Sequence, residues 1–204
     1  MSKPRVVVLD YGSGNLRSAE RALSKVGADV TVTADIDAAR DCDGLVVPGV
    51  GAFAACMEGV HRVHGEEVVQ ARVSREQPVL GICVGMQVLY ETGDEHGVES
   101  AGIGVLPGRV ERMSAPVLPH MGWNTVKPVT GSALFAGVEG ERFYFVHSYA
   151  ASPAGDGETL ATHGDTTFVA AVERGPLAAT QFHPEKSGDA GATVLSNWLR
   201  DVVG

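Results

Sequence analysis

A chain of 204 residues has room for one α/β domain with a substantial buried core, and residues 1–204 read as a single domain. A formal charge of −9 and the absence of any basic run argue against a nucleic-acid surface, which needs clustered Lys and Arg. The start, Met1-Ser2-Lys3-Pro4-Arg5, leads into only four apolar residues before Asp10, too short for a leader or a membrane span. Cys42, Cys56 and Cys83 are odd in number and lack Cys-x-x-Cys spacing, so a reducing, cytoplasmic protein with no disulfide framework, metal cluster or membrane contact is expected.

Residues 5–10 read as a buried parallel strand, a β-branched run ending in a carboxylate, and Tyr11-Gly12-Ser13-Gly14-Asn15 as the turn after it. Leu16, Ala19, Leu23 and Val26 share a face of the following helix, which Gly27 stops. Strands are expected over 30–33 and 44–47, the latter running into Pro48-Gly49-Val50-Gly51-Ala52-Phe53. A fourth, over 79–82, feeds a helix over 84–91. Such alternation implies right-handed crossovers, a parallel sheet and a site at the carboxyl ends of its strands. Beyond about Gly102 short strands over 105–113, 125–128, 142–147, 158–163, 168–173 and 177–181 suggest an antiparallel extension or an added small sheet, and residues 190–203 a closing helix. The expected architecture is therefore α/β: a flavodoxin-like, mostly parallel sheet flanked by helices, extended antiparallel in its second half.

Gly81-Ile82-Cys83-Val84-Gly85 has the form of a nucleophile elbow: small neighbours permit a sharp strand-to-helix turn that lifts the reactive atom above the sheet. The helix start beyond it favours a thiolate and offers N–H groups to an oxyanion. A buried structural cysteine is the commoner fate of the residue in general, but the flanking glycines set Cys83 apart from Cys42 and Cys56. His183-Pro184-Glu185 follows the last short strand; an imidazole delivered to Cys83 would exchange its proton, and Glu185 would fix the tautomer. Alone, His-Pro-Glu is more often a surface turn. The glycines around Val50 permit a free N–H from Val50 or Gly51 to face a developing oxyanion.

Other features carry less. Arg17 stands where a dinucleotide fingerprint needs its third glycine, and no phosphate-gripping Gly-x-x-x-x-Gly-Lys-Ser/Thr sequence occurs. His61 and His64, three apart on a possible helix, have no third ligand nearby and read as solvated. The stretches 119–124 and 143–149 place aromatic and polar groups beside strand ends, as a cleft or partner surface would.

Six segments carry a family resemblance: Asp10-Tyr11-Gly12-Ser13-Gly14-Asn15-Leu16, Pro48-Gly49-Val50-Gly51-Ala52-Phe53, Gly81-Ile82-Cys83-Val84-Gly85-Met86-Gln87, Pro119-His120-Met121-Gly122-Trp123-Asn124, Phe145-Val146-His147-Ser148-Tyr149 and Gln181-Phe182-His183-Pro184-Glu185-Lys186-Ser187. Running in order along nearly the whole chain, they resemble the class-I, triad-type glutamine amidotransferases. The first and fourth are similar to the branch that serves histidine biosynthesis. Val84 is a departure, since relatives often have leucine there. The resemblance implies that Cys83 attacks the carboxamide of L-glutamine, that His183 acts as acid and base with Glu185 orienting it, and that Val84 with Val50 or Gly51 holds the oxyanion. It further implies that Gln87, Glu95, Ser148 and Tyr149 hold glutamine, with no cofactor and no metal. His120, Trp123, Asn124, Tyr144 and Lys186 would meet a (β/α)₈-barrel cyclase subunit as heterodimer partner. Ammonia freed into neutral water is mostly non-nucleophilic ammonium, which independently calls for direct, dry transfer to an acceptor on another subunit.

Three rivals remain open on the residues alone. An amidotransferase subunit for anthranilate or guanylate synthesis would share the triad but answer to a different acceptor enzyme. A Cys-dependent peptidase or chaperone would need no partner, and a non-enzymatic flavodoxin-like module would leave Cys83 no more reactive than a model thiol.

Overall fold

The computed structural model describes residues 3–201. The first half alternates as β1 (Arg5–Leu9), α1 (Leu16–Lys25), β2 (Asp29–Thr33), α2 (Ile36–Asp41), β3 (Gly44–Gly49), α3 (Phe53–Arg62), α4 (Gly65–Ser74), β4 (Val79–Cys83) and the single turn α5 (Val84–Gln87). The β-branched runs of β1, β3 and β4 are buried on both faces, which is what the interior of a parallel sheet demands. α1 packs through Ala19 and Leu23 and ends one residue before Val26, its C-cap, with Gly27 just beyond. Asp35 caps α2 by accepting from the Asp37 and Ala38 N–H groups.

The second half is β5 (Tyr90–Glu95), β6 (Val98–Ala101), β7 (Leu106–Arg112), β8 (His120–Thr125), β9 (Arg142–His147), β10 (Tyr149–Ala151), β11 (Glu158–His163), β12 (Thr166–Arg174), β13 (Leu177–Thr180), a 3₁₀ turn (Pro184–Lys186) and α6 (Gly188–Asp201). Among the described residues the main sheet has the order β11-β12-β13-β4-β3-β1-β2. Its β2, β1, β3, β4 and β13 are parallel, while β12 and β11 continue it antiparallel. Strands β10-β7-β5-β6 form a second sheet and β8-β9 a ribbon. Both an antiparallel extension and added small sheets are therefore present, and the parallel set has the flavodoxin-like order.

Three expected elements differ. The helix over 84–91 stops at Gln87, because the chain returns and takes its carbonyls: Ile103 N–H donates to Val88 O (2.7 Å), Leu106 N–H to Leu89 O (2.9 Å) and Gly104 N–H to Tyr90 O (3.1 Å). The strand expected over 125–128 is displaced to β8, whose partner β9 pairs Trp123 with Tyr144; Lys127 keeps only an isolated bridge to Leu160. α6 starts two residues before the expected 190, and residues 202 and 203 lie outside the described residues. His61 and His64 do not share a helix. α3 ends at Arg62, His64 turns left-handed (φ 55°), and the two rings pair with Glu66 (2.9 Å) and Glu67 (3.4 Å). No helix among the described residues is long and apolar enough to cross a membrane.

At the end of the sheet opposite the strand C-termini, the buried guanidinium of Arg72 on α4 donates to five backbone carbonyls, those of Ala39, Arg40, Cys42, Asp43 and Pro78, at 3.0–3.3 Å. It satisfies the orphan carbonyls at the end of α2 and joins them to the approach to β4. Arg72→Leu removes the guanidinium from all five, leaving Pro78 O its bond from the Leu45 N–H and Ala39 O its contact with Cys42 Sγ, and urea unfolding should show stability lower by about 3 kcal/mol or more. A loss under about 1 kcal/mol would mean that water replaces the guanidinium there.

Candidate active site

Cys83 ends β4 and begins α5 with φ 56° and ψ −115°, a conformation costing a non-glycine residue about 1–3 kcal/mol. What holds it there is backbone against backbone. A Cβ on Gly85 would lie 1.9 Å from the Val47 carbonyl oxygen, and one on Gly49 would lie 2.4 Å from the Gly85 nitrogen. Only glycine at both places lets the end of β3 meet the first turn of α5 and turn the sulfur out of the sheet.

β13, parallel to β4, brings in the imidazole. His183 follows it by three residues, and its backbone N–H is tied to Tyr144 O on β9 (3.0 Å). Nδ1 meets Glu185 Oε1 at 2.8 Å, with both side chains nearly wholly buried. A carboxylate on Nδ1 leaves Nε2 to face the sulfur, and Nε2 has no other partner. Burial alone would lower the imidazole pKa, but the Cys83 sulfur and Glu185 together outweigh it and raise the value to about 9. At neutral pH the ring therefore holds its proton beside the sulfur.

A cavity of about 220 Å³ opens over this pair, lined by Val50, Gly51, Cys83, Val84, Gln87, Glu95, Val146, His147, Ser148, Tyr149, His183 and Lys186. It gathers nearly all the residues assigned to catalysis, oxyanion and glutamine. A larger depression of about 360 Å³ lies behind Glu185, lined in part by Arg21 and Asp189, with no cysteine or histidine in its lining. Glu95 also supports the neighbouring helix. Its Oε2 accepts from the Phe53 N–H (2.7 Å), capping α3 where Ala52 cannot. The Val50 N–H is engaged by Ser13 Oγ (3.1 Å), and the same hydroxyl donates to Val50 O (2.7 Å), so this residue is clamped at both ends.

The residues assigned to a partner face fall on two levels. Trp123 is 54% exposed and Met121, which sequence reasoning passed over, 63%, both on β8. Trp123 stands edge-on to Tyr144 (6.1 Å). His120, by contrast, is only 4% exposed and supports the ribbon from behind, with Nδ1 2.9 Å from His147 Nε2 and its ring stacked on His163. Burial lowers the pKa of His120 to about 4 and of His147 to about 3, so both are neutral at pH 7. Asn124 ties that layer to β11 through Thr162 O (2.9 Å). Lys186 is exposed and also borders the cavity.

Sequence reasoning missed two residues at the site. Gln181 contacts Cys83 and Gln87; its only signal is a polar residue following the apolar strand and two places before His183. Ser13 carries no local signal, since its partner is 37 residues away.

The class-I glutamine amidotransferase family model matches residues 7–202. The chain is 62% identical over 203 residues to a Mycobacterium bovis protein named imidazole glycerol phosphate synthase subunit HisH, with 98% of each chain covered. A Nocardia farcinica protein of the same name is 61% identical over 209 residues, covering 98% of this chain and 99% of that one. A solved structure described as a glutamine amidotransferase superposes with a TM-score of 0.77 at 22% identity over 98% of both chains. The PurLQS structure from Thermotoga maritima gives 0.72 at 20%, covering 98% of this chain and 99% of that chain.

Because Glu185 raises the His183 pKa, Glu185→Gln should lower it, from about 9 toward the ordinary 6.5. A ¹⁵N titration of the ring nitrogens reads this directly; an unmoved midpoint would show that the carboxylate does not govern the proton.

Proposed function

The chain belongs to the class-I glutamine amidotransferases, and on that premise we propose that it is the glutaminase half of an imidazole glycerol phosphate synthase. It hydrolyses glutamine to glutamate and ammonia. It then passes the ammonia to a cyclase subunit, read as a (β/α)₈ barrel, which makes imidazole glycerol phosphate and AICAR from a phosphoribulosyl-formimino carboxamide intermediate in histidine biosynthesis. The observation that supports the reading is the meeting of Cys83, a Glu185-bound His183 and a cavity of amino-acid size at the carboxyl ends of β3, β4 and β13. Residues 1–204 act as one domain, and the three free cysteines fit a cytoplasmic setting.

In this reading the Cys83 thiolate attacks the side-chain carbonyl carbon of glutamine, and the C–S bond forms as the carbonyl electron pair moves to oxygen. The oxyanion is met by the Val84 N–H and by one from Val50 or Gly51. Collapse breaks the C–N bond while His183 gives its proton to the leaving nitrogen, releasing ammonia and leaving a glutamyl thioester. His183 then takes a proton from water, the hydroxide oxygen adds to the carbonyl, and C–S cleavage returns the thiolate with glutamate. Gln87, Glu95, Ser148 and Tyr149 hold the substrate's amino-acid end. Trp123, Asn124 and Tyr144, backed by His120 and with Lys186 at the cavity edge, meet the partner.

Cys83→Ala in the two-subunit complex should cut glutamine-dependent synthesis by about 10³-fold or more while synthesis from ammonium salts persists. Loss of both would assign the cysteine to structure. The Val50 N–H is taken up by Ser13, so completing the oxyanion hole through Val50 requires that peptide to reorient. Ser13→Ala removes both hydroxyl bonds, leaving only the Cys56 Sγ contact on Val50 O (3.4 Å), and should raise glutamine hydrolysis by the isolated subunit about tenfold. An unchanged basal rate would show that the hydroxyl does not restrain the peptide.

A further inference from the structure

Gln181 is 1% exposed, and its backbone N–H is fixed to Ala170 O on β12 (2.8 Å). Its side chain is spent wholly inside the site. Nε2 points to Cys83 Sγ at 3.8 Å, and Oε1 accepts from Gln87 Nε2 at 2.9 Å. Gln87 Nε2 also donates to Tyr149 O, again at 2.9 Å.

The sense of these bonds follows from chemistry. The Tyr149 carbonyl can only accept, so Gln87 must turn its NH₂ group toward it. Both Gln87 hydrogens are then used, one on Tyr149 and one on Gln181, and the atom of Gln181 receiving the second must be its oxygen. That leaves the Gln181 NH₂ facing the sulfur. An amide N–H cannot accept a proton from a thiol; it can only donate to sulfur lone pairs, and it donates best to a thiolate. The same chain leaves Gln87 with only its Oε1 to offer a ligand in the cavity.

We propose that Gln181 is a further functional residue of the thiol chemistry, donating to the Cys83 thiolate through Nε2 and fixing the orientation of Gln87 through Oε1. The first role rests on the reading of Cys83 as nucleophile, the second on the reading of Gln87 as a glutamine contact. His183 and Gln181 then serve the sulfur differently: one exchanges a proton, the other holds charge without titrating.

Two variants of the full-length chain separate the roles. Gln181→Glu is nearly isosteric, keeps an acceptor for Gln87 and replaces the donor at sulfur with a carboxylate. Gln181→Leu removes donor and acceptor together. Iodoacetamide alkylation of Cys83, followed by peptide mass spectrometry from about pH 5 to 9, should show both variants slowed about tenfold at neutral pH, the profile shifting upward by about one unit. With the cyclase subunit present, Gln181→Glu should lower kcat for glutamine with KM within about twofold of wild type. Gln181→Leu should also raise KM, by about fivefold or more. In the wild type, the Gln181 side-chain amide resonance should move with the ionisation of Cys83 and stay still in Cys83→Ala, a readout that needs no Gln181 variant to fold. Alkylation profiles that superpose on wild type in variants with native circular dichroism would overturn the proposal, as would an amide resonance indifferent to the thiol. Shifted profiles in a protein whose wild type turns over no glutamine would support the role at sulfur and overturn the glutaminase reading instead.

Discussion

A backbone approach too tight for any Cβ, Gly85 against the Val47 carbonyl with Gly49 alongside, governs where the sulfur of this molecule is presented. Without side chains at those places the end of β3 and the first turn of α5 come together closely enough to hold the chain in the unfavourable angles of Cys83. The strain is local and the restraint is not. Two parallel strands, buried on both faces, hold the elbow from below, so burial distributed over the sheet offsets a conformation that an isolated peptide would leave at once. The sulfur is a product of sheet packing as much as of its own residue type.

Around that fixed atom the partners arrive from separate strands. His183 and Gln181 come from the end of β13, Gln87 from the first turn after the elbow, and Val50 from the end of β3. His183 and Gln181 are each anchored by the backbone on one side and by a buried polar contact on the other: His183 by Tyr144 O and Glu185, Gln181 by Ala170 O and Gln87. Buried polar groups arranged in this way are worth keeping only when every member is satisfied. His183 Nε2 and Glu185 Oε2 depart from that background, both buried without a hydrogen-bond partner, the first of them facing the sulfur.

Much of this was legible in the residues. The β-branched runs of β1, β3 and β4 announce a parallel sheet, and the small-residue frame of Cys83 announces the elbow, because both depend on local rules. The single turn of α5 was not legible, because its ending is imposed by residues 102–106 folding back onto the carbonyls beyond it. β8 was misplaced for a similar reason: His120-Met121-Gly122-Trp123 alternates in a way that only pairing with β9 resolves. Arg72 reads as an ordinary charged helix residue, and its five carbonyl acceptors come together only in three dimensions. Ser13 and Gln181 belong to the same class, polar residues whose meaning lies entirely in partners tens of positions away.

The bond between the His183 N–H and Tyr144 O has a thermodynamic corollary. Tyr144 lies on the ribbon that displays Trp123 and Met121 to solvent, while His183 lines the cavity. One hydrogen bond thus joins the outside and the inside of the molecule. Whatever grips the ribbon in one arrangement more tightly than another must bias the imidazole's placement, and whatever occupies the cavity must alter the grip on the ribbon by the same factor. Communication between the two faces then requires no long relay, only a shift across that one hydrogen bond.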